Sequence, residues 1–200
     1  MIGRLPSLAL AAALAVPSAA RAQEDGWFVG AGAGASVIDR GYDAPDVTRP
    51  HVRLMAGKRL SRYVSVALEG TAYGLFDEEP RVSDFPPGST DPLRSPVVVG
   101  TQTLFAAVQV EVAPDFYLRP GVGLSRHSYA AYFFGPGDQV QDAWVGHEAG
   151  PAAGLTVGYA FPLGANASLA LEGVGVWSHG QDSAASRWVY GVQIAPTFPL

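Results

Sequence analysis

The chain has 200 residues, no cysteine and 18 acidic against 13 basic side chains, a formal charge of -5. That is one domain's worth of sequence with no disulfide framework, and its acidic balance argues against nucleic acid as a partner. Gly at 24 and Pro at 16 are high, yet 48% of residues are hydrophobic, which excludes a disordered chain.

Met1 to Ala22 reads as a cleaved signal peptide, residues 1-22. Arg4 supplies the positive start, Leu8 to Val16 the apolar stretch and Ala20-Arg21-Ala22 the cleavage site. Loss of Arg4 and Arg21 takes the charge from -5 to about -7. No later stretch approaches the ~18 apolar residues of a helical membrane span. Residues 23-200 are predicted to form one domain.

Period-two alternation recurs through that domain and helical spacing is hard to find. The predicted strands begin with Trp27 to Ile38, where Trp27, Val29, Ala31, Ala33, Ala35 and Val37 oppose glycines 30, 32 and 34. His51 to Leu60 sets Val52, Leu54 and Ala56 against His51, Arg53 and Met55. Val64 to Leu75 sets Val66 and Leu68 against Ser65, Glu69, Thr71 and Tyr73. Val97 to Val112, Phe116 to Ser128, Trp144 to Phe161 and Ser168 to Trp177 follow. Their inner faces carry Gln109, Glu111, Arg119 and Glu172. The last strand, Trp188 to Leu200, places Trp188, Tyr190, Val192, Ile194 and Phe198 on one side and Val189, Gly191, Gln193, Ala195 and Thr197 on the other.

Connections alternate in length. Short turns fall at Ser61 to Tyr63, Ala113-Pro114-Asp115 and Pro162 to Ala167. Long loops fall at Asp39 to Arg49, Asp77 to Ser95, Tyr129 to Ala143 and Ser178 to Ser186. This pattern predicts an all-β fold, an eight-stranded antiparallel up-and-down transmembrane β-barrel after the cleaved leader, with short turns on the periplasmic side. The turns also set the register: Leu60 opposite Val64, Ala56 opposite Leu68, Val112 opposite Phe116 and Val108 opposite Pro120.

A soluble sandwich would use the same alternation with its apolar face inward. Here the other face is crowded with Gly, Ala, Ser and Thr, small enough for the inside of a narrow barrel. Bulky rings near strand ends, among them Trp27, Tyr73, Trp144, Trp177, Trp188 and Phe198, fit girdles at the two borders of an apolar band.

The runs KRLSRYVSVALEGTAYGL, FYLRPGVGLS, GLTVGYAFPLGANASLALEGVGVW and VYGVQIAPTF resemble the OmpA-like/OmpX-like outer-membrane β-barrel proteins of Gram-negative bacteria. The resemblance covers nearly the whole of residues 23-200. It implies a small monomeric barrel in the cell outer membrane, surrounded by outer-membrane lipid and folded by the barrel-assembly machinery that reads the last strand. The terminal aromatic of that pattern is replaced by Leu200, and Pro196 and Pro199 withdraw donors from a pairing strand.

The candidate functional groups are of three kinds. Arg53, Glu69, Glu111, Arg119 and Glu172 are expected to form a charge network that plugs the lumen, since buried charges are tolerated only when paired. Tyr132, Phe133 and Phe134 form an aromatic loop tip suited to an extracellular ligand or host surface. Histidines 51, 127, 147 and 179 are expected to be exposed at the long-loop rim. No catalytic residue, metal or cofactor is assigned. The expected role is structural or adhesin-like. A narrow porin-like channel is the first alternative. A lipid-modifying hydrolase using His179, Asp182 and Ser183, or Arg126-His127-Ser128, is the second.

Overall fold

A computed structural model describes residues 26–39, 46–74, 97–134, 140–164, 167–179 and 186–200. The expected leader, 1–22, and the loop residues Asp182 and Ser183 lie outside them. Among the described residues the chain forms β1 (Gly26–Ile38), β2 (Val47–Arg59), β3 (Val64–Tyr73), β4 (Val97–Ala113), β5 (Phe116–Phe134), β6 (Val140–Pro162), β7 (Ser168–His179) and β8 (Ser186–Pro199). Each strand pairs with its neighbour in sequence, and β8 pairs with β1 to close the barrel. Closure removes both free edges. The fold expected from alternation and turn spacing is the fold observed.

The short turns are built locally. Ser61 Oγ accepts the N–H groups of Tyr63 and Val64 at 3.2 and 3.1 Å, and the Leu60 N–H donates to the Val64 carbonyl at 2.9 Å. This sets Ala56 opposite Leu68 as the turn spacing predicts. In the β4–β5 turn Asp115 adopts the left-handed conformation with φ of 63°, a residue type that tolerates it. A register shift there pairs Ala113 with Phe116, so the expected Val112–Phe116 pairing is displaced by one residue. Beyond the bulge Val110 faces Leu118 and Ala106 faces Val122, the register that places Val108 opposite Pro120.

One correction concerns strand length. Val47–Arg59 starts earlier than the alternation indicated, and β5 and β6 continue far past Ser128 and Trp144. Residues expected in a loop form a ladder instead: Tyr129 faces Gly146, Tyr132 faces Ala143 and Phe133 faces Asp142. The run Tyr129 to Phe134 is rich in aromatic residues that favour extended backbone. Only 135–139, which include Gly135-Pro136-Gly137, separate the two strands.

The pairings fix the barrel's geometry. Starting at Tyr117 on β5, cross-strand partners run through Gly158, Glu172, Gln193, Gly34, His51, Tyr73 and Thr101. They return to β5 at His127, ten residues beyond the start. A shear of ten on eight strands corresponds to a strand tilt of about 40° and a backbone radius of about 8 Å. Such a cylinder holds side chains and little else.

Apolar side chains lie outside. Leu54, Val122 and Leu124 are 69%, 67% and 63% exposed, although they stand at mid-strand. The inner face carries the buried groups in tiers. Tyr117, Ala170 and Ala195 pack near the short turns, while Ile38, Tyr73, Phe105, Ala152, Val176 and Val189 pack higher up. Tyr73 therefore belongs to the interior and not to an outer girdle. Its odd position on β3 puts it on the face of Glu69 and Thr71.

Candidate functional site

Between the two apolar tiers lies a cluster of paired charges. Arg53 on β2, Glu69 on β3, Arg119 on β5 and Glu172 on β7 each occupy the inward position of the period-two pattern. Arg53 Nη2 stands 2.7 Å from Glu172 Oε2, and Arg53 Nη1 stands 3.6 Å from Glu69 Oε2. Arg119 pairs through Nη2 with Glu172 Oε1 at 2.9 Å and through Nε with Glu69. Two guanidiniums and two carboxylates cancel in charge, as a low-dielectric interior demands.

Glu172 is the hub. Besides both arginines it accepts the Tyr117 hydroxyl and, at 2.5 Å, the Gln193 amide N–H. Gln193 Oε1 in turn accepts His51 Nε2–H at 2.8 Å, which leaves His51 Nδ1 to accept the Ser36 hydroxyl. Arg119 Nη1 also donates to Gln109 Oε1 at 3.1 Å. The chain of contacts thus crosses the lumen and touches seven strands.

Two glycines make these reaches possible. Gly158 lies between Tyr117 and Glu172 in the cross-strand row, and Gly34 lies between Gln193 and His51. A Cβ on Gly158 would sit 2.2 Å from Tyr117 Cζ. With no side chain on the intervening strand, the phenol and the imidazole each extend across it to a partner two strands away.

Glu111, expected in the same network, sits half-buried at the β4–β5 turn, where its Oε1 accepts the Asp115 N–H at 3.2 Å. The free space beside Arg53, Glu69, Phe105 and Arg119 admits water centres over about 20 Å³, room for one or two waters.

The histidines need correction. His51 and His127 are buried in the lumen and not exposed at the rim. The strands continue above them, because β2 begins at Val47, ahead of His51, and β5 extends to Phe134. His127 is held by Thr101 Oγ1 at 3.0 Å from Nδ1, and by Ser178 and Ser125 at 2.8 and 3.3 Å from Nε2. His147 is exposed on the outer face of β6, and His179 stacks on Trp177 with ring centroids 6.2 Å apart. Among the described residues no group of three potential ligands is placed to hold a metal ion. Arg126, His127 and Ser128 alternate outward, inward and outward, so the backbone pleat separates them as a catalytic unit.

Of the expected interfacial aromatics, Trp27, Trp188 and Phe198 are exposed on the outside and Trp177 is half-buried there. Trp144 stands on β6 opposite Ala131. The ladder through Tyr132, Phe133 and Phe134 puts that segment at the far end of the longest hairpin. Sequence reasoning named the four paired charges and missed Tyr117, Gln193 and His51 as their partners. The available signal was their shared inward parity.

No family profile matches the sequence, and no curated protein does. Solved structures do match in fold. Ail, the attachment invasion locus protein of Yersinia pestis, aligns with a TM-score of 0.59 at 10% identity, covering 88% of this chain and 99% of Ail. Neisserial surface protein A aligns at 0.57 and 12% identity, covering 87% of this chain and 97% of that one. The N-terminal barrel domain of Pseudomonas aeruginosa OprF aligns at 0.51 and 12% identity, covering 86% and 97%. The chain has the closed eight-stranded fold of these outer-membrane β-barrels. In outer-membrane barrels an apolar outward row at mid-strand faces lipid. The long-hairpin end lies opposite the short turns, and the paired charges lie between the two ends.

Proposed function

We propose that this outer-membrane barrel is a non-conducting, non-enzymatic monomer whose long hairpins make adhesin-like contacts at the cell surface. The observation that carries the reading is the β5–β6 hairpin, 19 and 23 residues long, against 10 to 13 in β1, β2, β3 and β7. A membrane needs only about 9–11 residues per strand, so roughly half of this hairpin stands clear of the bilayer. Its end carries Tyr132, Phe133 and Phe134, ring types that supply large contact area at small entropic cost.

Ail has been crystallised with the heparin analogue sucrose octasulfate. With 18 acids against 13 bases, the present chain is better matched to an apolar or basic protein surface than to a sulfated polyanion. Cells displaying the protein are expected to adhere to immobilised host-matrix protein more than to immobilised heparin. Replacing Tyr132, Phe133 and Phe134 together by serine is expected to abolish that adhesion. Undiminished adhesion of the folded variant refutes the assignment.

The neutral cluster and the apolar tiers above and below it favour a sealed lumen over the channel reading. Planar-bilayer current at baseline is the expected result, and discrete openings by the parent protein would overturn it. Lipid packs around the outside, and the barrel-assembly machinery engages the last strand during biogenesis.

A further inference from the structure

Arg126 is a permanent charge on the outer face that neither the plug nor the hairpin explains. Arg126 is exposed on β5, immediately above Leu124 in the outward row. Successive outward residues on a strand tilted by about 40° differ in height by about 5 Å. The guanidinium therefore stands at the upper border of the apolar band, where Leu104 and Leu124 end the hydrocarbon contact.

Its outward neighbours are polar donors. Gln102 is its direct partner on β4, and both are exposed. Ser128, the next outward residue on β5, pairs with His147 on β6, and its Oγ lies 3.2 Å from His147 Nδ1. That contact fixes the ring and leaves Nε2 directed away from Ser128. Facing and diagonal cross-strand neighbours lie about 5–8 Å apart, so Arg126, Gln102 and His147 can reach a single tetrahedral anion. Among the described residues, the adjoining outward positions Gly100, Leu104, Leu124 and Ala149 carry no carboxylate. Glu148 points into the lumen.

We propose that Arg126, Gln102 and His147 form a binding site for a phosphate of lipid A in the external leaflet. At that border an arginine is tolerated, and its charge attracts anionic headgroups. Arginine's planar fork suits phosphate better than any other side chain. The position at the exterior-facing border of the apolar band selects lipid A, whose glucosamine phosphates lie at that depth.

Native mass spectrometry of the detergent-folded full-length barrel tests this, with bisphosphorylated lipid A, its dephosphorylated form and phosphatidylglycerol as separate probes. The parent is expected to bind the bisphosphorylated form at least about tenfold more tightly than Arg126→Gln does, the loss typical of one charge-assisted contact. Dephosphorylated lipid A is expected to bind the parent no better than the variant. Gln102→Ala and His147→Gln provide independent arms and are expected to weaken binding by about threefold. Gel mobility with and without heating confirms that each variant is folded. Equal affinity of parent and Arg126→Gln overturns the site. Phosphatidylglycerol matching lipid A overturns the assignment of the ligand.

Discussion

Replacing Glu172 by glutamine keeps the side chain's volume and removes the charge on which the lumen cluster converges. In the parent, Glu172 Oε2 is 2.7 Å from Arg53 Nη2, and Oε1 is 2.9 Å from Arg119 Nη2. At an effective dielectric of ~20, each contact near 3 Å amounts to ~5 kcal/mol of gross attraction. Much of that offsets the cost of drying both ions, so the net loss on removing one partner is about 3–5 kcal/mol. The interior charge rises from zero to one positive, because Glu69 alone then faces two guanidiniums. With a urea slope of about 1–3 kcal/mol/M, the unfolding midpoint of the refolded barrel is expected to fall by roughly 1–5 M. Tryptophan fluorescence and the heat-sensitive gel shift give the readout. A second variant, Glu172→Gln with Arg119→Gln, restores neutrality and is expected to cost less than the two single changes added together, by at least about 1 kcal/mol. A single-variant loss below about 1 kcal/mol, or strict additivity, would refute the view that these charges act as one buried unit.

Glycines on the two faces are expected to behave oppositely. A Cβ at Gly123 meets the Leu104 carbonyl at 1.9 Å, whereas Gly173 and Gly175 have nothing within 4 Å. Gly123→Ala should sharply lower refolding yield, while Gly173→Ala should change the unfolding free energy by less than about 0.5 kcal/mol. Gly158→Ala pushes on the Tyr117 ring and is expected to destabilise by about 1–3 kcal/mol, with much of the loss removed by pairing it with Tyr117→Phe. Leu124→Arg should cost less than Leu68→Arg in a refolding titration, because Leu68 lies deeper in the band where a cation costs about 2–4 kcal/mol and the borders cost about 0–1. Equal losses at the two positions would contradict the placement of the band.

The local rule of two residues per repeat determined which side of the wall nearly every side chain occupies. Leu54 outward and Arg53 inward follow from neighbouring positions alone, and Ser61 and Asp115 mark their own turns. Strand ends were less legible, since the run from Tyr129 to Phe134 alternates weakly and only its partner across 140–145 completes the ladder. Height and company were decided by closure. His51 and Gln193 stand 142 positions apart and meet because β8 docks on β1 and Gly34 leaves the space between them open. Which carboxylate each guanidinium meets depends on the shear of ten, a property of the whole ring of pairings that no single hairpin contains. Alternation is a property of neighbours and can be read along the chain. The meeting of charges inside the cylinder belongs to the circumference, and only tertiary structure supplies it.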